Sequence, residues 1–454
     1  MEDETSADER LARAVTAHSR GDLTEAERLY RVVLTACPTQ RDALNNLGVI
    51  CAESGRIDEA KALIERALAA HPDFAVAHNS LGIVLRRLDR LDDAVDHYRR
   101  AVELDNRYAE AFTNLGLSLR ALGQHDEAIA AMRRVVTLRP ESADAHMSLA
   151  STLLMTGNFA EGRREYEWRW KLERLPPPPV LAPPWTLDAP RGSSVLLNTE
   201  QGFGDTIQFT RFAPFLVERG HRVVLEVREP LQRLFAGALP GVEIIVRGAK
   251  IGPVDRQIAL LSLPRVMGTT LDTIPTKVPY LSADIDAVER WRARLDFKRP
   301  NIGLVWRGSA THGKDRARSL DPALLAPLFA IDGVQLVSLQ KAPRPGDLDV
   351  IARLGRLEDW TAELDDFADT AALISALDLV ITVDTSAAHL AGALAKPFWV
   401  MLPHVPDWRW LLAREDSPWY PTARLFRQTR LDDWEGVIQR VGTALIEWWG
   451  KRAP

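Results

Sequence analysis

Gly21, Gly55, Gly123 and Gly157 fall on a grid of 34 residues, with Asp89 at the one grid point where glycine is missing. Five residues after each grid point stands a small residue: Ala26, Ala60, Ala94, Ala128 or Gly162. A period of this length is that of a helix-turn-helix unit, which cannot bury its apolar face alone and must stack on copies of itself. In the same frame Leu47, Leu81, Leu115 and Leu149 precede the small residues Gly48, Gly82, Gly116 and Ala150, which let paired helices approach closely. Pro38, Pro72 and Pro140 close three of the units, where a second helix must stop. Five units are therefore expected at about 7–40, 41–74, 75–108, 109–142 and 143–176.

This pattern resembles the tetratricopeptide repeat, which implies an α-solenoid over residues 1–175 and a role in binding protein partners. The sixth position of successive units carries Asn46, Ser80, Asn114 and Ser148. These amides and hydroxyls can hydrogen-bond the backbone of an extended peptide, or can reflect only a preference of the repeat for asparagine. The fifth unit is irregular: its second helix reads Glu165-Tyr166-Glu167-Trp168-Arg169-Trp170, either a cap on the open end of the solenoid or a docking surface for the next domain. Pro176 to Pro179, Pro183, Pro184 and Pro190 then favour an extended spacer, so the domain boundary is set at 176–191.

Beyond the spacer, short β-branched runs alternate with helical patterns. Strands are expected at 195–199, 222–227, 242–246 and 257–263, with helices near 206–219 and 230–237. A second series follows at 301–306, 334–340, 378–384 and 398–402, with helices near 321–330, 366–377 and 386–395. This alternation predicts two doubly wound α/β lobes with parallel sheets, at 192–284 and 285–454, whose ligands bind beyond the carboxyl ends of the strands. A helix near 285–295 is expected to join the lobes, and a tryptophan-rich helix near 432–449 to pack back across them.

Two turns at those carboxyl ends carry the chemistry. Glu200-Gln201-Gly202-Phe203-Gly204-Asp205 follows the first strand, and Asp384-Thr385-Ser386 leads into a helix containing His389. Thr385 and Ser386 stand where unpaired helical N–H groups and the helix dipole favour an anion, although Ser386 can equally serve as the helix cap. The stretch from Arg307 to Ser319 holds Arg307, His312, Lys314, Arg316 and Arg318 with Asp315 as its internal counter-charge, a composition able to neutralise a departing diphosphate. Gln340 and Lys341 follow a strand at its carboxyl end, facing either a nucleotide or solvent. Asp407-Trp408-Arg409-Trp410 offers aromatic faces for a sugar ring or base, or for packing between lobes.

The Gly-Phe-Gly-Asp205 turn, the cationic loop ending at Arg318-Ser319-Leu320 and the Asp384-Thr385-x-x-x-His389 segment resemble the glycosyltransferases of the ADP-heptose:lipopolysaccharide heptosyltransferase type. The resemblance covers roughly 192–445 and implies the two-lobed GT-B fold with metal-independent, inverting transfer from a nucleotide-diphosphate sugar. It implies that Asp205 is the general base and that Gly204, Asp384, Thr385, Ser386 and His389 contact the donor. Arg318 stands where that family generally carries a lysine, which exchanges a point charge for a forked donor. The combination of repeats with a GT-B pair is also similar in architecture to protein O-GlcNAc transferases, whose own motifs this chain lacks. Asp205 has a second reading as a helix N-cap, and Glu200 is the fallback base.

Composition removes several alternatives. A net charge of -5 gives no global reason to bind nucleic acid or an anionic membrane, and no apolar run reaches the roughly 18 residues that span a bilayer. The acidic start MEDETSADER is not a secretory signal, so the cytoplasm is the expected location. Cys37 and Cys51, the only cysteines, are read as buried thiols. Ile207 occupies the place of the third glycine of a dinucleotide-binding turn, no GKS/T phosphate loop is present, and His312, His389 and His404 are too scattered for a metal cluster. The expected function is glycosyl transfer from a nucleotide-diphosphate sugar, with no other cofactor, to a protein or glycan acceptor recruited by the repeats. The rivals are a scaffold with a silent α/β pair and a nucleotide-sugar epimerase.

Overall fold

The computed structural model describes residues 7–310, 313 and 315–451. The chain divides into two compact units, one ending at Thr152 and one beginning at Leu153.

The first unit is a series of antiparallel helical pairs: Ala7–Ser19 with Leu23–Ala36, Arg41–Glu53 with Ile57–Ala70, Ala75–Arg87 with Leu91–Leu104, and Ala109–Ala121 with His125–Leu138. The grid glycines sit in the turns inside each pair, with Gly21, Gly55 and Gly123 at φ +78°, +80° and +76°. Asp89 takes the same left-handed conformation at φ 59°, a region aspartate tolerates better than most residues. Small residues at 48, 82 and 116 are a packing necessity: a Cβ would lie 2.6 Å from Ile64, 2.5 Å from Tyr98 and 3.0 Å from Met132. Cys51 is buried, which pushes its thiol up to about 11. Cys37, expected to be buried, is only half-buried, because it follows the last turn of Leu23–Ala36 rather than facing a partner helix.

The division between units falls inside the helix Ala143–Met155, well before the proline stretch. The second helix of the fifth pair, Phe159–Tyr166, and the 3₁₀ turn Glu167–Lys171 belong to the second unit. The proline stretch is also built into that unit. Gln257 accepts from the Leu181 and Ala182 amides at 2.7 and 3.0 Å, and exchanges backbone bonds with Pro183 and Trp185, so the segment lies along a sheet edge.

The second unit holds two wholly parallel sheets. The first has strands β1 (Ser194–Asn198), β2 (Arg222–Val227), β3 (Val242–Val246) and β4 (Arg256–Ala259) in the order β3-β2-β1-β4. The second has β5 (Asn301–Val305), β6 (Gln335–Ser338), β7 (Leu379–Val383), β8 (Phe398–Leu402) and β9 (Ala423–Arg427) in the order β6-β5-β7-β8-β9. In each sheet the chain starts at an inner strand and later crosses to its other side, a switch point beyond whose carboxyl ends open α/β sheets bind their ligands.

Several elements differ from the sequence reading. The strand expected to 263 stops at Ala259, where the 3₁₀ turn Leu260–Ser262 frees the Leu261 amide to bond Glu200. The helix expected over 206–219 is broken into Phe203–Phe209, a 3₁₀ turn and Ala213–Glu218, with Pro214 in the first turn of the last piece. β9 was not expected because its alternation of arginine with apolar residues is short. The terminal helix Trp434–Gly450, expected to pack back across the lobes, places Trp434, Val437, Ile438, Val441 and Leu445 in the core of the second sheet.

Candidate functional site

Both glycine-bearing and aspartate-bearing turns lie at carboxyl ends of strands, and the two lobes bring them together. β1 runs into the turn 199–202 and the helix Phe203–Phe209, while β7 runs into Asp384-Thr385 and the helix Ser386–Ala393. Gly204 faces the second helix so closely that a Cβ would lie 2.7 Å from His389 Cδ2 and 3.5 Å from Ser386 Cα. Around this contact the lobes are tied by Arg233, which forks onto Asp366 at 2.8 Å, and by Arg211, which donates to the Trp419 carbonyl at 2.6 Å.

Asp205 is neither a free carboxylate nor the N-cap of its helix. Gly202 is the N-cap, and Asp205 reaches back to accept the Gly202 N–H at 2.8 Å. Its other oxygen is ion-paired with Arg409, from the loop after β8. Arg409 also holds Asp407 at 2.7 Å, lies 4.3 Å over the Trp408 ring, and is buried. Glu200, the fallback base, is buried and bound by Arg169 at 2.8 and 3.0 Å, with burial pushing its carboxyl above the ordinary range against the pull of that arginine.

His389 is buried, accepts or donates one bond to the Tyr420 hydroxyl through Nδ1 at 3.0 Å, and stacks on Trp410. Burial and the surrounding guanidinium of Arg409 press its pKa down to about 3, so the ring is neutral at working pH. Asp384 moves the other way, to about 6, because of burial and the negative charge of Asp407 beside it.

The anion cradle expected from the sequence is partly assembled. Thr385 is the N-cap of Ser386–Ala393, yet its side chain makes no capping hydrogen bond; the Thr385 hydroxyl meets Thr382 at 3.1 Å instead. Arg318 donates through Nη1 to the Asp384 carbonyl at 3.0 Å, and among the described residues its buried Nε has no hydrogen-bond partner, lying 3.9 Å from Asp315 Oδ1. Gly308 makes room for it: a Cβ there would lie 2.5 Å from Arg318 Nε and 2.7 Å from Asp315 Oδ1. Asp315 is buried and fixed by the Ser319 hydroxyl at 2.8 Å and by Arg344. Arg316 is exposed, and Lys314 and His312 lie outside the described residues.

Gln340 and Lys341 are not brought to the cradle. Gln340 is buried and accepts the Trp306 and Arg307 N–H groups at 3.1 and 2.9 Å, which fixes the start of the cationic loop. Lys341 Nζ is turned to the carbonyls of Thr361 and Leu364 at 3.0 and 2.6 Å. Arg307 forks onto the buried Asp347 at 2.7 and 3.0 Å, so it too is part of the scaffold.

Sequence reasoning missed two participants. Arg409 was singled out only as part of an aromatic loop, and its pairing with a residue 204 positions earlier leaves no local signal. Arg228, at the carboxyl end of β2, lies 3.7 Å over the Phe203 ring with Nη2 buried and lacking a hydrogen-bond partner among the described residues, near Arg247 and Asp205. Among the described residues there is no cluster of three metal-ligating side chains and no helix long and apolar enough to cross a membrane.

On the helical unit, the polar positions divide. Asn46 donates to the Tyr30 hydroxyl at 3.2 Å and Asn114 to Asn79 Oδ1 at 2.9 Å, both half-buried. Ser80 is buried, which withdraws it from an open surface, and Ser148 is half-buried.

Comparison with known proteins gives one curated relative, Protein FlbA of Caulobacter vibrioides, 30% identical over 320 residues that cover 64% of this chain and 53% of that protein. The chain thus spans about half the length of the curated relative it matches. Solved structures similar to the helical part include MamA, at 26% identity over 34% of this chain and 91% of that one with a TM-score of 0.32. They also include YrrB, described as a TPR protein with an unusual peptide-binding site, at 25% identity over 37% of this chain and 87% of that one, TM-score 0.32. A third is TTC0263, a thermophilic TPR protein in Thermus thermophilus, at 20% identity over 37% and 92%, TM-score 0.32. Family profiles described as Tetratricopeptide repeat match residues 10–31, 39–107, 73–141 and 113–172, so the helical pairs of this chain are tetratricopeptide repeats.

Proposed function

We propose that the second unit is a glycosyltransferase of the GT-B type, moving a sugar from a nucleotide-diphosphate donor to an acceptor recruited through the repeats. The observation that carries this reading is the cradle at the carboxyl end of β7. A helix start whose N-cap side chain makes no capping bond, the Arg318 guanidinium with a buried Nε lacking a hydrogen-bond partner among the described residues, and a pocketing glycine at 308 converge on one point. A buried guanidinium short of partners and a bare helix N-terminus are both eased by the same ligand, a diphosphate. The neutral His389 and the Trp408–Trp410 loop would then border the sugar rather than the phosphates.

Asp205 remains the proposed base, with a condition: the ion pair to Arg409 must be exchanged for the acceptor hydroxyl before the carboxylate can take its proton. That same ion pair favours the rival reading, a repeat scaffold whose α/β unit is catalytically silent. Calorimetric titration with ADP-, UDP- and GDP-linked sugars and the free nucleoside diphosphates decides between them. The transferase reading expects one nucleotide to bind and Arg318→Ala or Asp384→Ala to abolish it; a flat response across the whole panel would leave the scaffold.

A further inference from the structure

Three consecutive residues at the mouth of β1 are each held by a different partner. The Glu200 carboxylate is gripped by Arg169, the Gln201 amide by the Tyr166 hydroxyl at 2.7 and 3.0 Å, and the Gly202 N–H by Asp205. Gln201 sits at φ 33°, a positive value that a non-glycine residue adopts only when its surroundings impose it. Two of the three partners come from the last helical pair of the repeat array, not from either α/β lobe.

That helix is anchored for the purpose along its whole length. Phe159 packs against Trp419 of the second lobe, and Tyr166 against Trp408, the neighbour of Arg409. Arg163 is buried and donates to the carbonyls of Pro264 and Thr269 in the first lobe. Arg169 is fully buried, and besides Glu200 it binds Ser262 at 2.7 Å, Glu167 at 2.9 Å and the Tyr166 carbonyl at 3.1 Å. A cap on a solenoid needs only a polar outer face. This segment instead places its arginines and aromatics inside the second unit.

We propose that the helix Phe159–Tyr166 with its 3₁₀ turn is a component of the cleft, and that Tyr166 is a positioning residue holding the Gln201 turn in its strained form. Asp205 and Gly204 follow that turn directly, so their approach to Arg409 and His389 depends on where Gln201 is held. The cleft is then complete only in a chain that retains residues 159–171, which belong to the second unit. The inference rests on reading the cleft as a ligand site, and its test separates the two.

In the full-length protein, hydrogen exchange is compared for the native chain, Tyr166→Phe, Gln201→Leu and the double variant. Tyr166→Phe keeps the ring and its packing and removes only the hydroxyl. It is expected to speed exchange across 200–206 by about 5-fold, the order of a lost neutral hydroxyl–amide interaction. Gln201→Leu should do the same, the double variant should add nothing further, and segment 379–393 should be unchanged. Whichever nucleotide sugar binds the native chain should bind Tyr166→Phe about 5-fold more weakly. Unchanged exchange over 200–206 overturns the proposal, and so does faster exchange with undiminished affinity. Faster exchange in a protein whose native form binds none of the nucleotide sugars supports the clamp and removes the transferase reading instead.

Discussion

Gly204 and His389, 185 residues apart, are pressed together so that a single methyl group on the glycine would stand 2.7 Å from the imidazole Cδ2. The contact ties the two turns to each other, and it requires hydrogen at position 204. Gly204→Ala should cost about 2 kcal/mol of stability in denaturant unfolding, the usual penalty for overpacking a buried contact. Gly204→Ala with His389→Ala should be less destabilised than the sum of the two single changes, because truncating the ring restores the space. Strict additivity in that cycle would mean that the two residues do not touch in solution.

The Asp205–Arg409 pair separates a structural from a chemical role for the carboxylate. Asp205→Asn leaves a buried guanidinium with Asp407 as its remaining counter-charge, and about 3 kcal/mol of destabilisation is expected. Arg409→Gln breaks the same bond from the other side. If Asp205 is the base, only Asp205→Asn abolishes sugar transfer while Arg409→Gln retains measurable turnover; equal loss in both would assign Asp205 to scaffolding.

The repeat array was legible because its signal is local and periodic. Gly21, Gly55 and Gly123 must turn the chain, and Gly48, Gly82 and Gly116 must admit Ile64, Tyr98 and Met132 sixteen residues on. The parallel strands were legible for a similar reason, as buried runs such as LVITV at Leu379–Val383 carry no polar face. What stayed hidden was long-range. Nothing near Gln340 says that its amide will hold the Trp306 and Arg307 N–H groups, and nothing near Lys341 says that its ammonium will turn to two distant carbonyls. The heavy Glu165–Trp170 segment announced a departure from the repeat, but its partners Glu200 and Ser262 lie just beyond the carboxyl ends of β1 and β4.

His389 gives a pH dependence whose sign is fixed by its burial. Its pKa is about 3 in the folded chain against an ordinary value of 6.5, so the unfolded state binds the proton first. The contribution is fully present above pH 6.5 and is lost as pH falls from there toward 3, at up to about 1.4 kcal/mol per unit. Urea unfolding between about pH 7 and pH 5 should therefore be less steeply pH-dependent in His389→Gln than in the native protein. Parallel pH profiles for the two would contradict a neutral, buried ring.

Gly308 offers a way to disturb the anion cradle without touching a charge. The Arg318 guanidinium lies over this glycine, and a Cβ would meet its Nε at 2.5 Å, its Nη2 at 2.7 Å and Asp315 Oδ1 at 2.7 Å. Asp315 cannot yield easily, because it is buried and held by Ser319 and Arg344, so the displaced group is Arg318. Gly308→Ala should then weaken diphosphate binding by about 10-fold, the order expected when one charge-assisted hydrogen bond is lost. Arg318→Ala in the same background should add little, because the guanidinium has already left its place. Isothermal titration with the nucleoside diphosphate that binds the native chain reads both effects, and a Gly308→Ala protein of native affinity would place the anion away from Arg318.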